Sequence, residues 1–452
     1  MPAPKTLPLT LVAKTDLPSV LSGHSAATRR WVESTGFVAD AGQVCLLPGA
    51  DGALSGVMLG CDDTPDMWAL AGLPQTLPRQ FSYKLTGKWQ KSQAELLALG
   101  WELGSYRLSR YLSGKQPALP RLETPANVDA KLLDALVSAS CLVRDLVNTP
   151  ANDLGPQELV EVGLGLAKKY KGTAKVTHGK QLEKDYPAIH AVGCGSSRPP
   201  LLLDLRWGPK TARKLTLVGK GVVFDTGGYD IKPSSGMITM KKDMGGAAHA
   251  LALAQLIMAR GLKVNLRVLI PAVENSISGH ALRPSDIIRT RSGKTVEIGN
   301  TDAEGRVILS DCLWEAAQDK PDWLIDFATL TGARNIALGT EIPVFFSTDD
   351  ALARKLAEAG AALQDPVWRL PLWQPYWRSM KSRVADMNNA GSSPNAGAIT
   401  AALFLQQFVA KGQKWVHFDF NAWNPSSQPG RPEGGEAMAL RACFAAIEGW
   451  VG

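Results

Sequence analysis

The order of apolar and polar positions divides the chain into two parts. "LPLTLVAK" (7–14), "GQVCLLPG" (42–49) and "SGVMLGCDD" (55–63) are short apolar or alternating runs bounded by Gly, Pro and Asp, and they predict strands. "QAELLALGWELGSYRLSRYL" (93–112) repeats apolar residues at three- and four-residue steps and predicts a helix. Together these pieces predict a small N-terminal α/β domain over 1–115. "SGKQPALPRLETPAN" (113–127), rich in Pro and polar residues, marks a linker placed at 116–131. Beyond it, over 132–452, strand-like and helical patterns alternate. "VDAKLLDALVSASCLVRDLVN" (128–148), "ELVEVGLGLAKKY" (158–170) and "AAHALALAQLIMARG" (247–261) are helical. "IHAVGCG" (189–195), "PLLLDLRW" (200–207), "KLTLVGKGVVFD" (214–225), "KVNLRVLIPAVE" (263–274) and "DWLIDFATL" (322–330) are strand-like. The alternation predicts a larger α/β domain with a central mixed, largely buried sheet flanked by helices.

Charges interrupt this pattern where a core element should stay apolar. In "NTDAEGRVILSD" (300–311), Asp302, Glu304 and Arg306 stand two apart, between the strand-like "KTVEIGN" and the helical "RVILSDCLWEAAQD". Residues two apart share a face only in extended backbone. The stretch therefore predicts a strand-to-helix connection with two carboxylates and a guanidinium on one side. Taken alone, it equally suits a solvated loop with a surface ion pair. A second cluster shifts the balance. Lys220 interrupts the strand "KLTLVGKGVVFD", Asp225 ends it, and Lys232 and Asp243 follow, Asp243 at the glycine-rich start of a helix. Singly, Asp243 suits a helix N-cap and Lys220 a snorkelling side chain. Brought together, four carboxylates repel: a like pair about 4 Å apart costs roughly 4 kcal/mol at an effective dielectric near 20. Two divalent cations balance four such charges, and oxygen ligands suit Mg²⁺, Mn²⁺ and Zn²⁺. There is no HExxH, and the six histidines show no ligand spacing.

Bulk properties exclude several classes. The chain has 452 residues, which favours two domains over one core. Charged residues make up 20% and mean hydropathy is −0.06, as in soluble globular proteins. The net charge of +7 comes with no block of five or more like charges, so a solvated basic surface is favoured over a nucleic-acid face. Six cysteines without a CxxC spacing, most within apolar segments, suit reduced thiols in a cytoplasmic protein. No secretory leader and no run near 18 apolar residues is present, so secretion and a membrane partner are not expected.

"VGKGVVFDTGGYDIKPSSGMITMKKDMGGAA" (218–248) and "NTDAEGRVILSD" resemble the two signatures of the leucyl aminopeptidase, or cytosol aminopeptidase, family. "DLVNTPANDLGP" (145–156), "DFATLTGA" (326–333) and "VADMNNAGSSPNAGAITAALFL" (384–405) are similar to other parts of that family, in the same order. The resemblance implies a metal-dependent exopeptidase that removes the N-terminal residue of a peptide through a metal-bridged water or hydroxide. It implies two divalent ions, Zn²⁺ or Mn²⁺. One would be held by Lys220, Asp225, Asp243 and Glu304, and a more exchangeable one by Asp225, Asp302 and Glu304. A lysine ligates only as the neutral amine, so its pKa, about 10.4 in water, must fall. Lys232 and Arg306 match the family's two catalytic positions, Lys232 toward the oxyanion and Arg306 toward a bicarbonate that shuttles protons. Met240, Thr329 and Gly332 match positions lining the first side-chain pocket, where apolar residues such as Leu are expected. A homohexamer acting on peptides is also implied.

Two stretches depart from the family pattern. Asp230 in "YDIKP" replaces a small neutral residue and, on a strand, would face Lys232. "FNAWNPSSQPGRPEGGEAMALRAC" (420–443) places Gly-Arg-Pro earlier than the family does, which leaves the side-chain preference open. Two other classes remain: a di-metal hydrolase of a non-peptide substrate such as a phosphoester, and a basic nucleic-acid-binding protein with a vestigial site. No GxxxxGKS or strand-borne GxGxxG supports the first.

Overall fold

The computed structural model describes residues 4–452, which form two compact units. The first comprises residues up to Ser138 together with Ser427–Pro432. Its five-stranded sheet runs in the order Val44–Pro48, Leu54–Cys61, Thr6–Ala13, Ser82–Leu85 and Arg121–Glu123. All neighbours are parallel except the antiparallel pair formed by Val44–Pro48 and Leu54–Cys61. Alternation in the strands sends Leu7, Leu9, Val57 and Leu59 to one face, where Leu97 and Trp101 of the helix Lys91–Gly104 cover them. Val12, Cys45, Leu47 and Met58 go to the other face, under Val32 of the helix Ala26–Ser34.

Two expectations change in this unit. The helix predicted over 93–112 spans Lys91–Gly104, shorter than expected at its C-terminal end, and packs closely within the unit: a Cβ on Gly104 would sit 2.8 Å from the Ala71 carbonyl carbon. Arg121–Glu123, inside the stretch read as linker, forms the edge strand of the sheet.

The second unit comprises Ala139–Ser426 and Glu433–Gly452. Its nine-stranded sheet runs in the order Trp368–Arg369, Val344–Ser347, Trp415–Asp419, Trp323–Ala328, Arg213–Gly219, Val264–Asn275, Leu201–Trp207 and Thr173–His178, with Gly221–Asp225 also paired to Val264–Asn275. The four strands from Trp415–Asp419 to Val264–Asn275 are parallel; Leu201–Trp207 runs antiparallel to both of its neighbours, and Val344–Ser347 runs antiparallel to Trp415–Asp419 but parallel to Trp368–Arg369. The sheet is mixed, as expected. Trp323–Ala328 and Trp415–Asp419 are buried at every position, so that Asp326 and His417, bonded to each other at 2.6 Å, are polar groups inside the sheet. Leu202, Val218, Leu269 and Leu324 share a core with Val307, Ile308 and Leu309 of the helix Glu304–Gln318. The helix Gly245–Arg260 is buried almost throughout and ends on Gly261, whose φ of 64° is the left-handed cap that glycine takes readily.

The run "IHAVGCG", read as a strand, is part of the helix Pro187–Gly193. Proline sits in its first turn, and Asp311 accepts hydrogen bonds from the N–H groups of Ala188 and Ile189 at 2.9 and 3.3 Å. A carboxylate 122 residues away in sequence thus stabilises a helical start that the local pattern leaves undecided. All six cysteines are free. Among the described residues, no helix is long and apolar enough to cross a membrane.

Candidate metal centre and active site

The parallel strands deliver the polar residues to one place, their C-terminal ends, where open α/β sheets bind ligands. Strand pairing lapses at Lys220, between Arg213–Gly219 and Gly221–Asp225. The Lys220 main chain instead donates to Phe327 O at 2.9 Å and accepts from Ala247 N at 2.8 Å. That exchange requires close approach of the helix Gly245–Arg260. A Cβ on Gly246 would lie 2.8 Å from Lys220 N and would strike the Phe327 carbonyl. Gly305 provides the matching space on the other side, since a Cβ there would be 2.7 Å from Lys220 Nζ.

Lys220, 3% exposed, reaches into a nest of acids. Its Nζ donates to Asp243 Oδ1 and to Thr329 O, both at 2.9 Å, and lies 2.8 Å from Glu304 Oε1. Thr329 Oγ1 donates to Asp243 Oδ1 at 2.8 Å. Asp225 Oδ1 accepts from Gly227 N and Asn275 Nδ2, both at 2.8 Å, and its Oδ2 faces Lys232 Nζ at 2.8 Å. Lys232 also pairs with Asp302. One oxygen each from Asp225, Asp302 and Glu304 lies within 4.8 Å of the others, and Glu304 Oε2 has no hydrogen-bond partner.

Electrostatics follow from this crowding. Burial, then the Asp225 carboxylate, pushes Asp302 up to about 7 and Glu304 up to about 8. Burial alone would lower Lys220, but Asp243, Glu304 and Asp225 outweigh it and raise its pKa, so the ammonium is held charged. Burial likewise opposes the Lys232 ammonium, which Asp225 and Asp302 keep charged. Four carboxyl groups therefore share two ammonium groups; the raised pKa values of Asp302 and Glu304 mark negative charge that the lysines leave unbalanced, and the unpartnered Glu304 oxygen fits a further cation. Oxygens with one amine are donors that Zn²⁺ and Mn²⁺ accept.

The opening triplet converges, but not through extended backbone. Asp302 lies in the short 3₁₀ turn Thr301–Ala303, Glu304 opens the helix Glu304–Gln318, and Arg306 follows in its first turn. The turn brings the three together where a strand face was expected. Arg306 lines the cavity; its Nη1 donates to Asn389 O at 2.8 Å, and burial pushes its pKa down to about 10. Asp230 turns away from Lys232: its carboxylate accepts from Thr301 N at 2.7 Å and Thr301 Oγ1 at 3.1 Å, bracing the turn that carries Asp302.

Lys220, Asp225, Lys232, Asp243, Asp302 and Arg306 line a cavity of about 680 Å³, with Met240, Thr329 and Gly332 in its wall, and Glu304 lies just behind it against Lys220. A comparable groove in the first unit, about 710 Å³ and lined by Leu73, Trp68 and Arg431 among others, brings no such acid cluster together among the described residues. Asn389 escaped sequence reasoning although it supports the centre. Its Oδ1 accepts from Gly299 N and Asn300 N at 2.8 and 3.2 Å, and its Nδ2 donates to Asn300 O at 2.8 Å. Lys242 and Arg334, also in the cavity wall, were missed too. Burial, assisted by the Arg334 charge, lowers Lys242 to about 8.

Residues 141–444 match the cytosol aminopeptidase family, catalytic domain, and residues 7–125 match the "M17 aminopeptidase, N-terminal domain". A probable cytosol aminopeptidase of Syntrophotalea carbinolica is 42% identical over 372 residues, 78% of this chain and 74% of that protein. The crystal structure of a cytosol aminopeptidase from Coxiella burnetii superposes with a TM-score of 0.97 at 47% identity, covering 100% of this chain and 99% of that one. The bottromycin maturation enzyme BotP, in complex with Mn, superposes with a TM-score of 0.89 at 33% identity, covering 100% of each chain. A two-unit α/β fold with this relationship to peptidases is that of a hydrolase, a metal-dependent aminopeptidase. In particular, the chain belongs to the cytosol aminopeptidase family.

Proposed function

We propose that the cavity removes N-terminal residues from peptides, with leucine-like residues favoured and two divalent ions, Zn²⁺ or Mn²⁺, held by Lys220, Asp225, Asp243, Asp302 and Glu304. The observation that carries this reading is the acid cluster, three carboxylates within 4.8 Å with an unpartnered oxygen on Glu304. Lys220, Asp225, Asp243 and Glu304 would hold one ion, and Asp225, Asp302 and Glu304 the other. When bound, the ions lower the pKa of a water toward neutrality, polarise the scissile carbonyl and hold the free α-amine.

The chain's own residues orient and stabilise. Lys232, kept charged by Asp225 and Asp302, supplies an N–H donor for the oxyanion that develops on the substrate. Arg306, fixed through Nη1 by Asn389, retains an Nε without a partner and suits a bidentate acceptor such as bicarbonate, which would carry the proton. Met240, Thr329 and Gly332 receive the first side chain. Family membership supports a homohexamer in the cytoplasm acting on peptides; light scattering from the purified protein is expected to give six times the 48.4 kDa chain, and the mass of a single chain would overturn the hexamer.

The reading is tested with leucine p-nitroanilide. Chelator-stripped protein supplied with Mn²⁺ or Zn²⁺ is expected to release p-nitroaniline from the free amine and not from the N-acetylated compound. Equal release from both would contradict the amine requirement, and release from neither with any metal would overturn the proposed substrate.

A further inference from the structure

The cavity wall that carries Asp243 and Thr329 holds two cations to which the reaction assigns no task. Lys242 follows Asp243 in the chain, and Arg334 lies two residues after Gly332; both line the cavity. Arg334 is 2% exposed, and its Nε and Nη1 have no hydrogen-bond partner. Asp419 Oδ1 is 3.5 Å from Arg334 Nε, beyond hydrogen-bond length for such a pair. That carboxylate is already engaged by Leu330 N, Thr331 N and Thr331 Oγ1 at 2.9, 3.2 and 2.6 Å. Lys242 makes no ion pair among the described residues. Asp419 offsets the charge of Arg334, but buried N–H donors left without hydrogen bonds are rare, which leaves Nε and Nη1 available to a ligand in the cavity. Met240, Leu330 and Phe420 supply apolar wall in the same cavity.

We propose that this wall reads the tip of the substrate's first side chain: an aliphatic stem against Met240 and a carboxylate at Arg334 and Lys242. Peptides beginning with glutamate or aspartate are then substrates alongside those beginning with leucine. The inference rests on the cavity being the peptidase site and specifies its substrate class. A guanidinium matches a carboxylate with two parallel N–H donors, a fit the isosteric carboxamide does not reproduce. Asn335 Oδ1, also in the wall and without a partner, is an acceptor that a glutamine tip would satisfy instead. The ratio of glutamate to glutamine as first residue therefore shows which group the tip meets.

The test measures kcat/KM of the metal-loaded enzyme for glutamate, glutamine and leucine p-nitroanilides, with Arg334→Met and Lys242→Met beside the wild type. Thermal melting with free L-glutamate or L-glutamine gives a readout independent of turnover. Wild type is expected to favour glutamate over glutamine by about tenfold. Arg334→Met should lower glutamate turnover about ten- to a hundredfold, mainly through KM, and change leucine less than about threefold. L-Glutamate should raise the melting temperature of wild type more than L-glutamine, and the variants should lose that difference. Lys242→Met, at a less buried position, repeats the comparison if Arg334→Met does not fold. Turnover of leucine and glutamine but not glutamate would overturn the inference and leave the proposed function standing. So would equal loss of leucine and glutamate turnover in both variants. Failure to cleave all three anilides would contradict the proposed function, and the melting comparison would still decide the pocket.

Discussion

Glu304→Ala is expected to abolish hydrolysis and to remove bound metal with it. Glu304 is 2% exposed at the first position of its helix, with Oε1 2.8 Å from Lys220 Nζ and Oε2 without a partner. In the proposed assignment it touches both ions, so its loss weakens both sites. Losing only an outer-shell partner of a metal ligand typically costs about 10–100-fold. Loss of a shared ligand is therefore expected to lower kcat/KM by more than about a thousandfold. The fold should survive, because Lys220 keeps Asp243 and Thr329 O as acceptors, and one carboxylate fewer relieves repulsion in the cluster. Elemental analysis, kcat/KM and melting of the metal-free protein together decide the point. Metal-free melting like wild type, with little metal and no turnover, fits the assignment; full metal content with undiminished turnover would refute it.

Lys232→Met is expected to give the opposite combination, with metal retained and catalysis lost. Lys232 Nζ lies 2.8 Å from Asp225 Oδ2 and also pairs with Asp302, both proposed ligands. Removing the ammonium leaves those carboxylates free, so metal affinity should rise. The donor for the oxyanion disappears at the same time, and removing one such donor typically costs about 10²–10³ in kcat. A fall in kcat of that size, with KM changing little and metal binding at least as tight, distinguishes oxyanion stabilisation from a merely structural lysine. Unchanged kcat, or metal lost in step with activity, would contradict the role.

The polar residues of the centre were legible because each breaks a local rule. A lysine inside a buried strand, an acid ending it and an acid opening an apolar helix stand out against the period of their surroundings. The structure gathers Lys220, Asp225, Lys232, Asp243, Asp302 and Arg306 on one cavity wall, with Glu304 behind it against Lys220, Asp225 and Asp302. The helices Gly245–Arg260 and Glu304–Gln318 were legible from their length and composition, since both are buried on nearly every face. Groups whose part is set by distant partners were not. "IHAVG" is helical because Asp311 satisfies its first N–H groups, and Asn389 supports Asn300 from 89 residues away. Arg334 looks like an ordinary exposed cation until its burial beside an already engaged Asp419 is seen. The effect of Asp230 turned on local geometry: a strand would have aimed it at Lys232, whereas the turn aims it at Thr301.

The central claim is that this cluster holds two divalent ions on which hydrolysis depends. Its most direct test is calorimetric titration of chelator-stripped protein with Mn²⁺ or Zn²⁺, with turnover of leucine p-nitroanilide followed in parallel. Two equivalents per chain are predicted. Protons should be released as Lys220 gives up its charge to become a ligand, and turnover should rise with occupancy. Turnover that persists in the stripped protein, or the absence of metal binding in a folded chain, would contradict the claim.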